Sequence, residues 1–229
     1  MLFGKPSKEK LIQIINEIPD DIYYRLDQLK LKGQGYLNRE DFLWYCVVRI
    51  FAYIGNEKGY ESFVDNEKLI NIISYNSLKN VLDSDEFYGL LVSTFKQGKV
   101  ELTEERAYQL IKNYELIDAM GGVEKAKEKA LRARGVKGKL EFIKQFHGIG
   151  NRYGMKLRMD TYHEDFHDQM LITPQISSIS KVMGFDFENE SQEIYFYKNI
   201  SNITGLALWD LDRLINEYSN IFLNKLVTF

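Results

Sequence analysis

Two short stretches carry residue types that can do chemistry. The first is His163-Glu164-Asp165-Phe166-His167, which spells H-E-x-x-H. On one face of a regular helix, two histidines four apart can bind zinc while the glutamate polarises a metal-bound water. Glu188, 21 positions beyond His167, is a third ligand on paper. Two features argue against a metal centre. Asp165 and Asp168 put charge where an active-site helix is apolar, and Asp160-Thr161-Tyr162 reads as the end of the preceding helix. The segment is therefore expected to be a solvated acidic loop, and no metal or other cofactor is assigned.

The second stretch is Leu140 to Leu157, LEFIKQFHGIGNRYGMKL. A short amphipathic helix leads into Gly148-Ile149-Gly150, and another helix begins at once at Asn151. The glycines permit a tight turn with positive φ and let a phosphate approach the backbone with no Cβ in the way. Ile149 is expected to point inward as a plug between the helices. The first amides of the Asn151 helix face outward, where unsatisfied donors and the dipole favour an anion. Gly154, one turn in, lets the two helices cross closely. Arg152 and Lys156 are spaced i, i+4 and so share a helix face beside that anion site. His147 either touches phosphate or complements the C-terminal dipole of the helix it ends. The candidate binding residues are thus His147, Gly148, Ile149, Gly150, Asn151, Arg152 and Lys156, and the expected partner is the sugar–phosphate backbone of double-stranded DNA. Such contacts position a protein on a duplex without reading its sequence.

Charge supports that expectation locally. The chain carries a net −3, but Glu124 to Arg158 holds eleven Lys and Arg against three Glu, a net +8 that leaves −11 for the remainder. A basic tract on an acidic protein is the footprint of a polyanion site that avoids indiscriminate binding elsewhere. A solvated lysine-rich helix face is the alternative.

These residues must be held by a scaffold. A length of 229 residues with 45% hydrophobic content fits one substantial domain or two intimately packed subdomains. Only three prolines occur, and no alternating apolar–polar run is long enough for a sheet, so the fold class is all-α. Helices are predicted over Lys8–Ile18, Asp21–Leu31 (closed by a Gly33/Gly35 loop) and Asn38–Tyr53, the last apolar nearly all round and therefore buried. Shorter helical stretches follow over Tyr60–Tyr75, Ser77–Asp83 and Glu86–Gln97. Thr103 caps a helix running to Met120, and further helices are predicted over Val123–Arg134, Lys139–Phe146, Asn151–Asp160, Pro174–Met183 and Leu206–Leu226. Cys46, the single cysteine, sits in WYCVVRIFAYI as a core thiol. The N-terminal residues lack a long apolar run, and Phe42–Ile54 is too short for a bilayer and is interrupted by Arg49. A soluble, cytoplasmic protein without membrane contact is expected.

FHGIGNRYGMKLRMD, followed by LITPQISSISKVMGF, resembles the helix-hairpin-helix DNA glycosylases of the endonuclease III and 8-oxoguanine glycosylase superfamily. The likeness spans roughly Phe42 to Gly184, specific at the hairpin and diffuse elsewhere. It implies a two-lobed helical fold with a DNA-facing cleft: one lobe of residues 37–160, with the hairpin at about 139–160, and a second of 1–36 plus 161–229. It implies flipping of a damaged base into that cleft, with Tyr53, Tyr60, Phe63, Tyr153 and Trp209 as candidate aromatics. Arg152 stands where bifunctional members carry the lysine that attacks the sugar, and a guanidinium forms no Schiff base. Thr173 stands where the family carries the acid that stabilises a developing sugar cation. Asp160, Glu164, Asp165 and Asp168 lie between the blocks, with Asp160 the candidate for a relocated carboxylate. Two outcomes stay open. One is base excision by a monofunctional N-glycosylase without lyase activity; the other is a non-catalytic relative that recognises bent or damaged duplex.

Overall fold

In the computed structural model, residues 7–81 and 83–227 are described, and every regular element among them is a helix. In chain order these are α1 (Lys8–Asn16), α2 (Asp20–Leu37), α3 (Phe42–Gly55), α4 (Tyr60–Val64), α5 (Glu67–Ile72), α6 (Tyr75–Leu78) and α7 (Ser84–Gln97). There follow α8 (Glu104–Ala119), α9 (Val123–Arg132), α10 (Gly135–Ile143), α11 (Asn151–Asp160), a single 3-10 turn (Glu164–Phe166), α12 (Pro174–Val182), α13 (Glu190–Thr204) and α14 (Leu208–Val227). Among the described residues no helix is long and apolar enough to cross a membrane.

The chain packs as two compact units, one of residues 35–157 and one of 1–34 with 158–229. The first is built round α3, whose residues Phe42 to Ala52 are all buried, Cys46 and Arg49 included. A buried guanidinium needs acceptors. Arg49 finds them in the hydroxyls of Tyr36 (2.8 Å) and Tyr60 (3.1 Å). Helices α4, α8 and α9 pack on α3, and α7 packs on α8. Thr103 caps α8 through the amide of Arg106 (3.4 Å), and Asp83 caps α7 through the amides of Asp85 and Glu86. The second unit joins α1, α12, α13 and α14 round Leu11, Ile14, Ile176, Ile179, Leu211 and Leu214.

The expected Tyr60–Tyr75 stretch divides into α4 and α5, α10 opens at Gly135, four residues before Lys139, and three further elements depart from the sequence expectation. Helix α2 does not stop before the glycines but runs through Gly33 and Gly35 to Leu37. A Cβ on Gly33 would lie 2.5 Å from the carbonyl oxygen of Asp160, so this glycine serves close packing, not termination. Helix α3 opens at Phe42, four residues after Asn38, and Asp41 at its start takes a two-bond contact from Arg39 (2.8 and 3.2 Å). Helix α13 is absent from the prediction. Its polar sequence ESQEIYFYKNISNIT masks a narrow apolar stripe, although Asn189 caps it by accepting from Gln192 N–H (3.1 Å) and Gly205 ends it in the left-handed region (φ 74°).

Candidate nucleic-acid interface

The bend between α10 and α11 is built from three glycines, two of them constrained and one not. Gly148 has φ 75°, a conformation that strains any side chain, and a Cβ there would also collide with Gln109 Oε1 and Phe51. Gly154 is buried, and a Cβ on it would lie 2.6 Å from Ile143 Cγ2, so its hydrogen is what lets α10 and α11 touch. Gly150 meets neither restriction: it lies outside the left-handed region, and a Cβ there would meet no atom within 4 Å. Between them Ile149 is buried with Phe146, and its amide donates to the Phe146 carbonyl (3.2 Å). Helix α11 starts with Gly154 N–H donating to Gly150 C=O (2.8 Å). The amides of Asn151, Arg152 and Tyr153 therefore have no acceptor within the helix.

His147, Gly148, Gly150, Asn151 and Arg152 are all exposed, so one continuous edge of the bend faces outward. The loop behind that edge is held by a residue that the sequence reading passed over. Asn113 of α8 is fully buried; its Nδ2 donates to the His147 carbonyl (2.9 Å) and its Oδ1 accepts from His147 N–H (2.7 Å). Its signal in the sequence is a lone amide in the apolar stripe Leu110, Asn113, Ile117.

The cations divide into an outer and an inner set. Lys125, Lys129, Arg132, Arg134, Lys137, Lys144 and Arg152 are exposed. Lys139 is buried, with Nζ donating to the Ala133 carbonyl (2.6 Å) just past α9, where a cation complements the helix dipole. Arg158 is wholly buried. The basic tract thus contributes less surface charge than its letters suggest. Lys156 is half-buried: its ammonium lies 4.5 Å from the ring centroid of Tyr53 and 5.7 Å from that of Tyr60. Tyr53 in turn packs edge-on to Tyr60 (5.3 Å) and lies 6.4 Å from Tyr153. Of the remaining candidate aromatics, Phe63 is core, and the buried Trp209 donates Nε1–H to the Met159 carbonyl (2.8 Å).

Asp160 and Thr173 fall in the unit of residues 1–34 and 158–229, and the hairpin edge in the other. Thr173 is the N-cap of α12: its hydroxyl accepts from Ile176 N–H (3.3 Å) and donates to Asn216 Oδ1 (2.5 Å). The Asp160 carboxylate is held by Arg213 (3.0 Å), with the aspartate side chain 7% exposed. Arg213 also lies 3.7 Å from Asp212, whose buried carboxylate accepts from Leu171 N–H (2.9 Å) and from Asn216 Nδ2 (3.3 Å). Thr173, Asn216, Asp212, Arg213 and Asp160 thus form one chain of polar contacts. The three members from α14 were hidden in LDRLIN, where helical periodicity alone does not separate a buried ion from a solvated one.

The H-E-x-x-H stretch is not a helix. Glu164–Phe166 is a 3-10 turn capped by His163, whose Nδ1 accepts from Asp165 N–H (3.2 Å). His167 stacks on Tyr162 (4.1 Å, 25°), and Glu188 accepts from Gln192 Nε2 (3.1 Å). Its expected solvation is only partial, because Phe166 is fully buried. Among the described residues no group of three His, Cys, Asp or Glu side chains is disposed to hold a metal ion. Neither a family model, nor a curated protein, nor a solved structure matches the chain.

Proposed function

We propose that the protein binds duplex DNA by its sugar–phosphate backbone at the Gly148–Gly150 bend, as a helix-hairpin-helix module that does not excise bases. One observation carries the reading. The inner side of the bend is fixed by Asn113, Ile149 and Gly154, while the absent side chain at Gly150 has no internal purpose and leaves room for an anion at the start of α11. Exposed Arg152 adds a cation one residue into that helix, and Lys144 lies just before the bend. The acidic remainder of the chain keeps a polyanion on this face.

The non-catalytic form is favoured over the monofunctional glycosylase by the second block. Stabilising a sugar cation requires a carboxylate free to meet it. Thr173 offers only a hydroxyl already engaged as a cap, and the Asp160 carboxylate is neutralised by Arg213. Binding is tested by titrating a fluorescein-labelled duplex with and without an abasic-site analogue, at about 50 mM and about 200 mM salt. A steep loss of affinity with salt is expected; affinity indifferent to salt would contradict the reading. Alkali treatment after incubation with damaged-base duplexes should give no nicks, whereas nicking would restore the glycosylase.

A further inference from the structure

We infer that Asn113 is a positioning residue that holds the hairpin in its anion-gripping shape before any ligand arrives. The consequence for DNA rests on the proposed function; the clamp itself rests on geometry alone. A side-chain amide with no exposure is tolerated only when its groups are bonded. Asn113 is bonded at both ends to a single residue, His147, and to its backbone only. A side chain that binds both the N–H and the C=O of one residue fixes the peptides on either side of it. Those peptides lead directly into Gly148, whose left-handed conformation sets the direction of the bend. Gln109, one turn earlier on α8, stands against Gly148, so this helix templates the loop from two positions. The exposed His147 ring takes no part. A loop already ordered in its bound form avoids the entropy loss that a mobile loop incurs on binding.

The test combines hydrogen exchange and duplex titration on the whole chain, comparing wild type, Asn113→Leu and Asn113→Asp. Leucine removes both bonds, while aspartate keeps the acceptor for His147 N–H and loses the donor to its carbonyl. In Asn113→Leu, exchange at the hydrogen-bonded loop amides of His147 and Ile149 should quicken while α3 keeps its protection, and duplex affinity should fall roughly tenfold, the worth of one charge-assisted hydrogen bond. The salt slope should be unchanged, because every cation remains; a merely structural residue would leave affinity alone or speed exchange everywhere. Asn113→Asp sets a buried carboxylate against the His147 carbonyl and should loosen the loop at least as much as leucine. If the leucine variant does not fold, wild type still decides: His147 N–H, in an exposed loop, must exchange as slowly as the core amides of α8. Loop-like exchange there, or local exchange untouched by the substitution, overturns the inference. If wild type fails to bind duplex, the DNA reading falls and exchange alone judges the clamp. If both proteins bind equally well, the clamp falls and the DNA reading stands.

Discussion

Gly154 sits where α10 and α11 touch, with Ile143 where its side chain would be. Gly154→Val should therefore force the helices apart and lower stability by about 1–3 kcal/mol in chemical denaturation, the usual cost of overpacking. Arg213 is the opposite case, a cation between two buried carboxylates. Arg213→Leu strands Asp160 and Asp212 and should cost about 3–5 kcal/mol, more than either carboxylate-to-amide change alone. A substitution there that left the unfolding midpoint in place would show that the polar chain is dispensable. Tyr197 supplies a pH test. Burial raises its hydroxyl pKa, against a hydrogen bond shared with Ser180 that lowers it and with Glu193 adding to the rise. The folded state thus prefers the neutral phenol. That contribution is complete below the ordinary tyrosine value of 10.0 and should be lost as pH climbs above it. Tyr197→Phe should flatten the alkaline fall.

At the level of elements, the hairpin was legible because glycine is a statement about backbone space. Gly148 and Gly154 each exclude a specific neighbour, and the start and end of α11 agree with the sequence expectation. The same residue type misled at Gly33, where glycine inside a helix marks close approach and the letters alone cannot tell that from a terminus. H-E-x-x-H was set aside on the charges around it; its spacing has meaning only on a helix, and the backbone there is a 3-10 turn. Helix α13 was missed since much of its energy comes from tertiary packing, yet its Asn189 cap was readable. Asn189→Ala should cost about 1 kcal/mol. No change in thermal stability would mean that α13 is held by its packing on α1 and α14 alone. Asn113 showed in the sequence only as an amide in an apolar stripe; its partner and the Asp212–Arg213 pair were not legible, because burial of a polar side chain depends on partners from distant sequence.

Across the whole molecule, charge is partitioned between the units. Residues 35–157 carry 19 Lys and Arg against 17 Asp and Glu, a net +2; the remaining residues carry 11 against 16, a net −5. On the proposed function, this partition would direct a polyanion to the unit that bears the hairpin. Chemistry is the other molecular question. With a guanidinium at Arg152 and Lys156 seated against tyrosine rings, borohydride treatment on abasic duplex should trap no covalent adduct. A robust adduct would reveal an amine nucleophile and overturn the non-catalytic reading. The reading of the hairpin edge is tested most directly by Gly150→Val, assayed for melting and for duplex affinity together. A Cβ there meets no atom within 4 Å, so the melting temperature should stay within the few degrees that a weakened N-cap costs. Duplex affinity should fall about tenfold or more, since the methyls stand where a phosphate must approach the α11 amides. A folded Gly150→Val protein that binds duplex as tightly as wild type would contradict the account.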